Sequence, residues 1–284
     1  TWQSTSNSFG QAVSTNWFTW NANNQTMTGL TIGKPTNTQT VYFWTNPTTA
    51  NGPISAYGGA IQVTTNITAT GGNILLDADT GTTLNQLTHG IELGADVNIK
   101  TLTSGDITLI GRTGNGNATI DGVTTASGAV INSAGNISIT GTATDGTKQG
   151  IGLRGIAITN NGGNTVLNAV NGVIATDSGN PVWNTGLQTN IITSNGTGYV
   201  HVTAGNGNAT NTGSIDGTVF SITQNNNAGV LVSTSGTGNV TAPKVTNNGT
   251  GNVVVAAGSA IAAGTGTGGQ VLTVTDNIIT QNST

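Results

Sequence analysis

Gly105-Asp106-Ile107-Thr108-Leu109 is followed thirty residues later by Gly135-Asn136-Ile137-Ser138-Ile139, and this pair of segments decides how the chain is read. In both, a Gly-Asx pair precedes an apolar, any, apolar triplet. The same step stands at Gly72-Asn73-Ile74-Leu75-Leu76, Gly238-Asn239-Val240 and Gly251-Asn252-Val253-Val254-Val255. Looser copies occur at Gly163-Asn164, Gly198-Tyr199-Val200-His201-Val202 and Gly269-Gln270-Val271. An apolar period of two is the signature of a strand with one buried face. Gly is expected to supply the positive φ of a corner, and Asn to tolerate it. Helices are excluded because, beyond residue 50, Gly or Asn interrupts almost every window of ten.

The spacing of the steps gives the architecture. Consecutive copies lie 33, 30, 28, 35 and 40 residues apart as far as Gly238, then 13 and 18, a loose period near thirty. Within one period further short strands can be read, as in Gly150-Ile151-Gly152-Leu153, Ile156-Ala157-Ile158-Thr159 and Thr165-Val166-Leu167-Asn168-Ala169. Three strands per period make a triangular coil. One coil cannot bury its Ile, Val and Leu alone, but coils stacked about 4.8 Å apart bury them continuously and pair every backbone in parallel. The expected fold is therefore all-β, a right-handed parallel β-helix (β-solenoid) of triangular coils. Ile74, Leu76, Ile107, Leu109, Ile137, Ile139, Val200, Val202, Val253 and Val255 are expected to point inward. A β-sandwich is the alternative, but it uses longer strands and larger inward side chains, and aromatics are only 4% of this chain.

Composition narrows the function. Of 284 residues, 44 are Gly, 37 Asn, 55 Thr and 17 Ser, whereas Lys and Arg together number 6, Asp and Glu 10, and His 2. So few titratable groups make an enzyme improbable. A net charge of -4 without a basic cluster excludes the footprint of a nucleic-acid binder. Charge is too scarce, and Val, Ile and Leu too regular, for a disordered chain. There is no Cys, and the longest apolar run, Val253 to Ala257, is far too short for a membrane span. A chain poor in Lys, Glu and Cys and rich in Asn, Thr and Gly is expected to be exported.

One boundary is visible. Trp2, Trp17, Trp20 and Trp44, with Phe9, Phe18, Tyr42 and Phe43, set residues 1–50 apart as an aromatic-rich joint or cap, and residues 51–284 read as solenoid repeats. The aromatics could form a ligand platform, but filling the core at the end of a stack is the expected role.

Tests for chemistry give little. Gly150-Ile151-Gly152-Leu153-Arg154-Gly155 and Gly264-Thr265-Gly266-Thr267-Gly268-Gly269 match a dinucleotide fingerprint, but strands follow them, not helices. His89 and His201 each stand alone. The best candidate is the pair Asp77 and Asp79, two residues apart on one strand face, which could hold Ca²⁺ or act on a glycosidic bond if Asp96, Asp106 or Asp121 joined them. The ordinary explanation is a solvent-facing strand edge, so no metal, no cofactor and no catalytic residue is expected. Nine Asn-x-Ser/Thr sequons equal the chance number. Thr-x-Thr pairs are too unevenly spaced for an ice-binding lattice.

The segments Gly29-Leu30-Thr31-Ile32-Gly33-Lys34 and Gly52-Pro53-Ile54-Ser55-Ala56-Tyr57-Gly58-Gly59, with the Gly-Asn-Ile steps that follow, resemble the repeat region of filamentous-haemagglutinin-like surface adhesins. The resemblance covers roughly residues 29 to 280 and implies a protein secreted or displayed at a bacterial cell surface. It implies a long β-helical shaft reaching toward host cells, other bacteria or glycan surfaces, continued end to end by further repeats or copies. The Asn-Pro-Asn motifs of that family's secretion domain are absent. Polysaccharide hydrolases built on β-helices share Asn-Thr-Asp, Asp-Asp, Gly-His-Gly and Arg-Ile-Lys elements, of which this chain has only Thr88-His89-Gly90. The expected function is a non-catalytic extracellular fibre segment, with a carbohydrate-binding or carbohydrate-cleaving β-helix as the alternative.

Overall fold

The computed structural model describes residues 1–6, 8–17, 27–78, 89–112, 121–143, 149–170, 172–175, 190–206, 214–217, 220–234, 238–257, 272–274 and 278–280. Its strands form three parallel sheets, each visited once per coil. Sheet I runs from Leu30–Ile32 through Ile54–Tyr57, Ile74–Ala78, Ile107–Arg112, Ile137–Thr142, Thr165–Val170, Val200–Asn206 and Val230–Thr234 to Val253–Ala256. Sheet II runs from Val13–Ser14 and Thr40–Phe43 to Leu272–Val274, and sheet III from Thr48–Ala50 to Ile278–Thr280. The pairing within each ladder is parallel and steps to the equivalent strand one coil away. The molecule is a triangular parallel β-helix. Among the described residues no helix is long and apolar enough to cross a membrane.

Register explains the triplets. Ile74, Ile107 and Ile137 stack in one column, and Leu76, Leu109 and Ile139 in the next, all fully buried. Val200 and Val202 continue both columns. Each such side chain adds about 1.5–3 kcal/mol when fully covered. Val253 and Val255 occupy the same columns in the last strand of sheet I but are only part-buried. A third column is reduced to Ala78, Gly111, Gly141 and Ala169, because sheets I and II converge there. A Cβ on Gly141 would lie 1.9 Å from the Gly150 carbonyl oxygen.

One repeat copy belongs elsewhere. Gly238-Asn239-Val240 resembles the step into sheet I, yet Val240–Ala242 pairs in sheet II beside Ile215–Asp216. The sheet I strand of that coil is Val230–Thr234, entered from Ala228-Gly229, so the forty-residue gap counted from Gly198 spans one full coil and one further face. The aromatic-rich first fifty residues carry strands of all three ladders, continuous with those that follow.

The two corners flanking sheet I differ. Connections from sheet III to sheet I are three to five residues long throughout, from 51–53 to 248–252. Connections from sheet I to sheet II range from two residues (58–59) to twelve (79–90) and fifteen (257–271). The loose period is therefore mainly a property of one edge, with one long sheet II to sheet III connection at 176–189.

Candidate functional site

The Gly-Asx step has a chemical reason beyond the expected positive φ. Of the glycines that open these steps, Gly105 has a positive φ (112°), whereas Gly72, Gly135, Gly163, Gly198 and Gly251 are absent from the positive-φ set of the described residues. What they share is tight stacking: a Cβ on Gly135 would meet Asp106 Oδ1 at 2.4 Å, and one on Gly163 would meet Asn136 Oδ1 at 2.3 Å. Under Gly105, Gly135, Gly163 and Gly198 an Asx side chain accepts from the backbone of the next coil. Asp106 N–H donates to Asn73 Oδ1 (2.9 Å), Asn136 N–H to Asp106 Oδ1 (2.7 Å), Asn164 N–H to Asn136 Oδ1 (2.9 Å) and Tyr199 N–H to Asn164 Oδ1 (3.1 Å). Beside this row an outer one of side-chain amides links Asn132, Asn161, Asn195, Asn225 and Asn248 at 2.7–3.1 Å. Inside the corner, Ser133 and Asn160 end their sheet III strands fully buried and bond to corner carbonyls. This edge is structural.

The carboxylates weighed as a possible cluster do not share an edge among the described residues. Alternation in Ile74–Ala78 buries Leu76 and turns Asp77 outward, between Tyr57 and Ile110 of the adjoining coils. Asp79 lies outside the described residues. Asp96 occupies the corner between sheets II and III with φ 57°, Asp106 serves the III–I corner, and Asp121 stands before sheet II. Among the described residues no group of three or more His, Cys, Asp or Glu could hold a metal.

Polar side chains do converge on the outer face of sheet II. His89 and Asp121 are brought together one coil apart. The Asp121 N–H donates to His89 Nδ1 at 2.9 Å, and Asp121 Oδ2 is 3.8 Å from that nitrogen. An accepting Nδ1 leaves the imidazole proton on Nε2. Glu92, the only Glu of the chain, points outward from Ile91–Leu93 and accepts from Gln62 Nε2 at 2.9 Å. These groups adjoin a cleft of about 260 Å³ lined by Thr64, His89, Glu92, the small residues Gly94 and Ala126, and Arg154. The second Arg of the chain, Arg112, ends the neighbouring sheet I strand, its backbone against Gly90. Mixed charge gives the cleft donors and acceptors without a strong field of either sign. Sequence reading passed over it because its members are separated by about a coil each. His89 with Asp121, and Gln62 with Glu92, are pairs that one-period alignment would have found.

The aromatics divide between two roles. Phe43 is fully buried, and Trp2 and Phe9, with ring centroids 5.4 Å apart, pack against the core. Tyr42 and Trp44 project outward from sheet II and stack with centroids 5.1 Å apart and planes at 25°. Trp44 is 45% exposed and Trp17 56%. Far along the chain, His201 stacks on Tyr199, and burial lowers its imidazole pKa below the ordinary value.

Comparison of the chain with family models, curated proteins and solved structures gave no significant match.

Proposed function

We propose that this chain is a stretch of extracellular β-solenoid shaft from a bacterial surface filament or adhesin of the filamentous-haemagglutinin-like kind, non-catalytic and without a cofactor. The observation that carries the reading is the run of three parallel ladders around one apolar core, stabilised at its most regular edge by rows of side-chain amides. Sheet II takes nine steps of about 4.8 Å between its first and last strands, roughly 43 Å of rod. Part-buried Val253 and Val255 suit further coils or copies stacked end to end, an open association that extends a filament. Solution scattering and sedimentation across a concentration series test this. A rod whose length grows with concentration is expected, and a compact particle of fixed size defeats the reading.

The cleft lined by His89 and Glu92 favours a second reading, cleavage of a polysaccharide, because a carboxylate and an imidazole share its wall. Polysaccharide panels with and without Ca²⁺ should show no turnover. Turnover abolished by Glu92→Gln would install the second reading in place of the first.

A further inference from the structure

We propose that the outer face of sheet II is a binding trough for a neutral, linear, equatorially linked oligosaccharide lying along the solenoid axis. This rests on the adhesive reading above and names what the shaft would grip. Two outward rows build the trough. In the first, strand register places Tyr42 beside Gln62, Gln62 beside Glu92, and Glu92 beside Thr124. The second lies just beyond the strand ends and runs Trp44, Thr64, Gly94, Ala126, Arg154, the first four one residue past their strands and Arg154 two. Its continuity is fixed by the N–H of Thr64 donating to the Phe43 carbonyl (2.9 Å), that of Gly94 to Val63 (2.8 Å), that of Ala126 to Leu93 (2.7 Å), and that of Arg154 to Thr125 Oγ1 (3.0 Å).

The second row is bulky at both ends and small between them. Trp44 stands at one end and the Arg154 side chain at the other, four coil steps away, a span of roughly 19 Å. Thr64, Gly94 and Ala126 leave the space between as the floor of the cleft. One coil step is close to the length of one pyranose unit in an extended chain, so successive sugars would meet successive coils in equivalent ways. The apolar face of a sugar ring suits the exposed side of Trp44, whose other side is supported by Tyr42. Ring hydroxyls suit the Gln62 amide and Glu92 carboxylate, already fixed by their mutual hydrogen bond. Glu92 in the wall of the trough and a net charge of -4 disfavour a polyanionic chain.

Titration of the intact chain with cellohexaose, chitohexaose and oligogalacturonate, read by tryptophan fluorescence and calorimetry, tests the assignment. At least one neutral hexasaccharide should bind saturably at millimolar concentration or below, with affinity rising with chain length up to about the four steps of the trough. Trp44→Ala should weaken binding about tenfold or more while leaving the melting temperature unchanged, since the ring is half exposed. Ala126→Trp, which fills the floor, should keep disaccharide binding and remove the gain with length. Absence of saturable binding by either neutral probe, binding unaltered by Trp44→Ala, or preference for oligogalacturonate would each overturn the proposal. A rod-shaped protein that ignores these sugars would sink this inference and leave the shaft reading standing.

Discussion

The corner from sheet III to sheet I and the corner from sheet I to sheet II flank the same strands, yet they behave as different materials. The first never departs from three to five residues, and the second varies from two to fifteen. At the first, side-chain oxygens of Asn73, Asp106, Asn136 and Asn164 hold backbone N–H groups of the following coil, so a changed length would strand several donors at once. At the second, connections of very different length join strands that still pair in parallel, with register shifts only at Ala169/Val170 and Gln149/Ile151 beside that edge. The difference teaches that a solenoid can gather its variation at one edge: register is set where side chains bridge the coils, and length changes chiefly between sheets I and II.

The comparison can be broken in four ways, taken from the largest expected effect to the smallest. Ile137→Asp puts a carboxylate into the core column directly after the stringent corner, between Ile107 and Thr165. It should cost about 4 kcal/mol or more, and hydrogen exchange should show the neighbouring coils opening first. Unchanged stability would mean that the register is wrong. Next, a Gly-Ser pair inserted between Gly135 and Asn136 should cost about 3 kcal/mol, because several corner bonds go together. The same pair inserted within 113–120 should cost about 0.5 kcal/mol. Denaturant midpoints of the two insertions check this, and equal values would remove the distinction between the edges.

A smaller effect is expected from Asn136→Ala. It removes the acceptor for Asn164 N–H and the side-chain donor to Asp106, and should cost about 1 kcal/mol because water can reach the exposed partners. Chemical denaturation would show it, and a neutral outcome would reduce the amide row to decoration. The smallest concerns His201, on the outer face of sheet I. Its folded-state pKa is lowered by burial below the ordinary 6.5, so the unfolded chain takes up the proton first. Stability should be full above about pH 6.5 and decline as the pH falls through that value toward the lowered folded one. His201→Gln should flatten melting temperature against pH over that window.

Much of the fold was legible because the stringent corner writes itself into the sequence. Gly72-Asn73, Gly105-Asp106 and Gly135-Asn136 announced sheet I, and the alternation after them named the buried residues. Sheet II was harder to see. Val123–Thr125 and Gln149–Gly152 are short, the second containing two glycines, and their burial depends on coils above and below. Gly238-Asn239-Val240 misled because a Gly-Asn pair before a β-branched residue also suits the entry to sheet II. The positive φ assigned to the corner glycines holds at Gly105, but the reason they share is backbone crowding between coils, which cannot be read from one coil. The cleft was illegible for a related cause: His89 gains meaning only when Asp121, a coil later, is laid beside it.

The Asx row also has an arrow. Each side chain accepts from the coil that follows it in the chain, from Asn73 toward Tyr199. A finished coil therefore offers its successor an acceptor already fixed in place, as the step on a crystal face offers a site to the next layer. Growth toward the C-terminus meets a template, whereas growth the other way must bring its own.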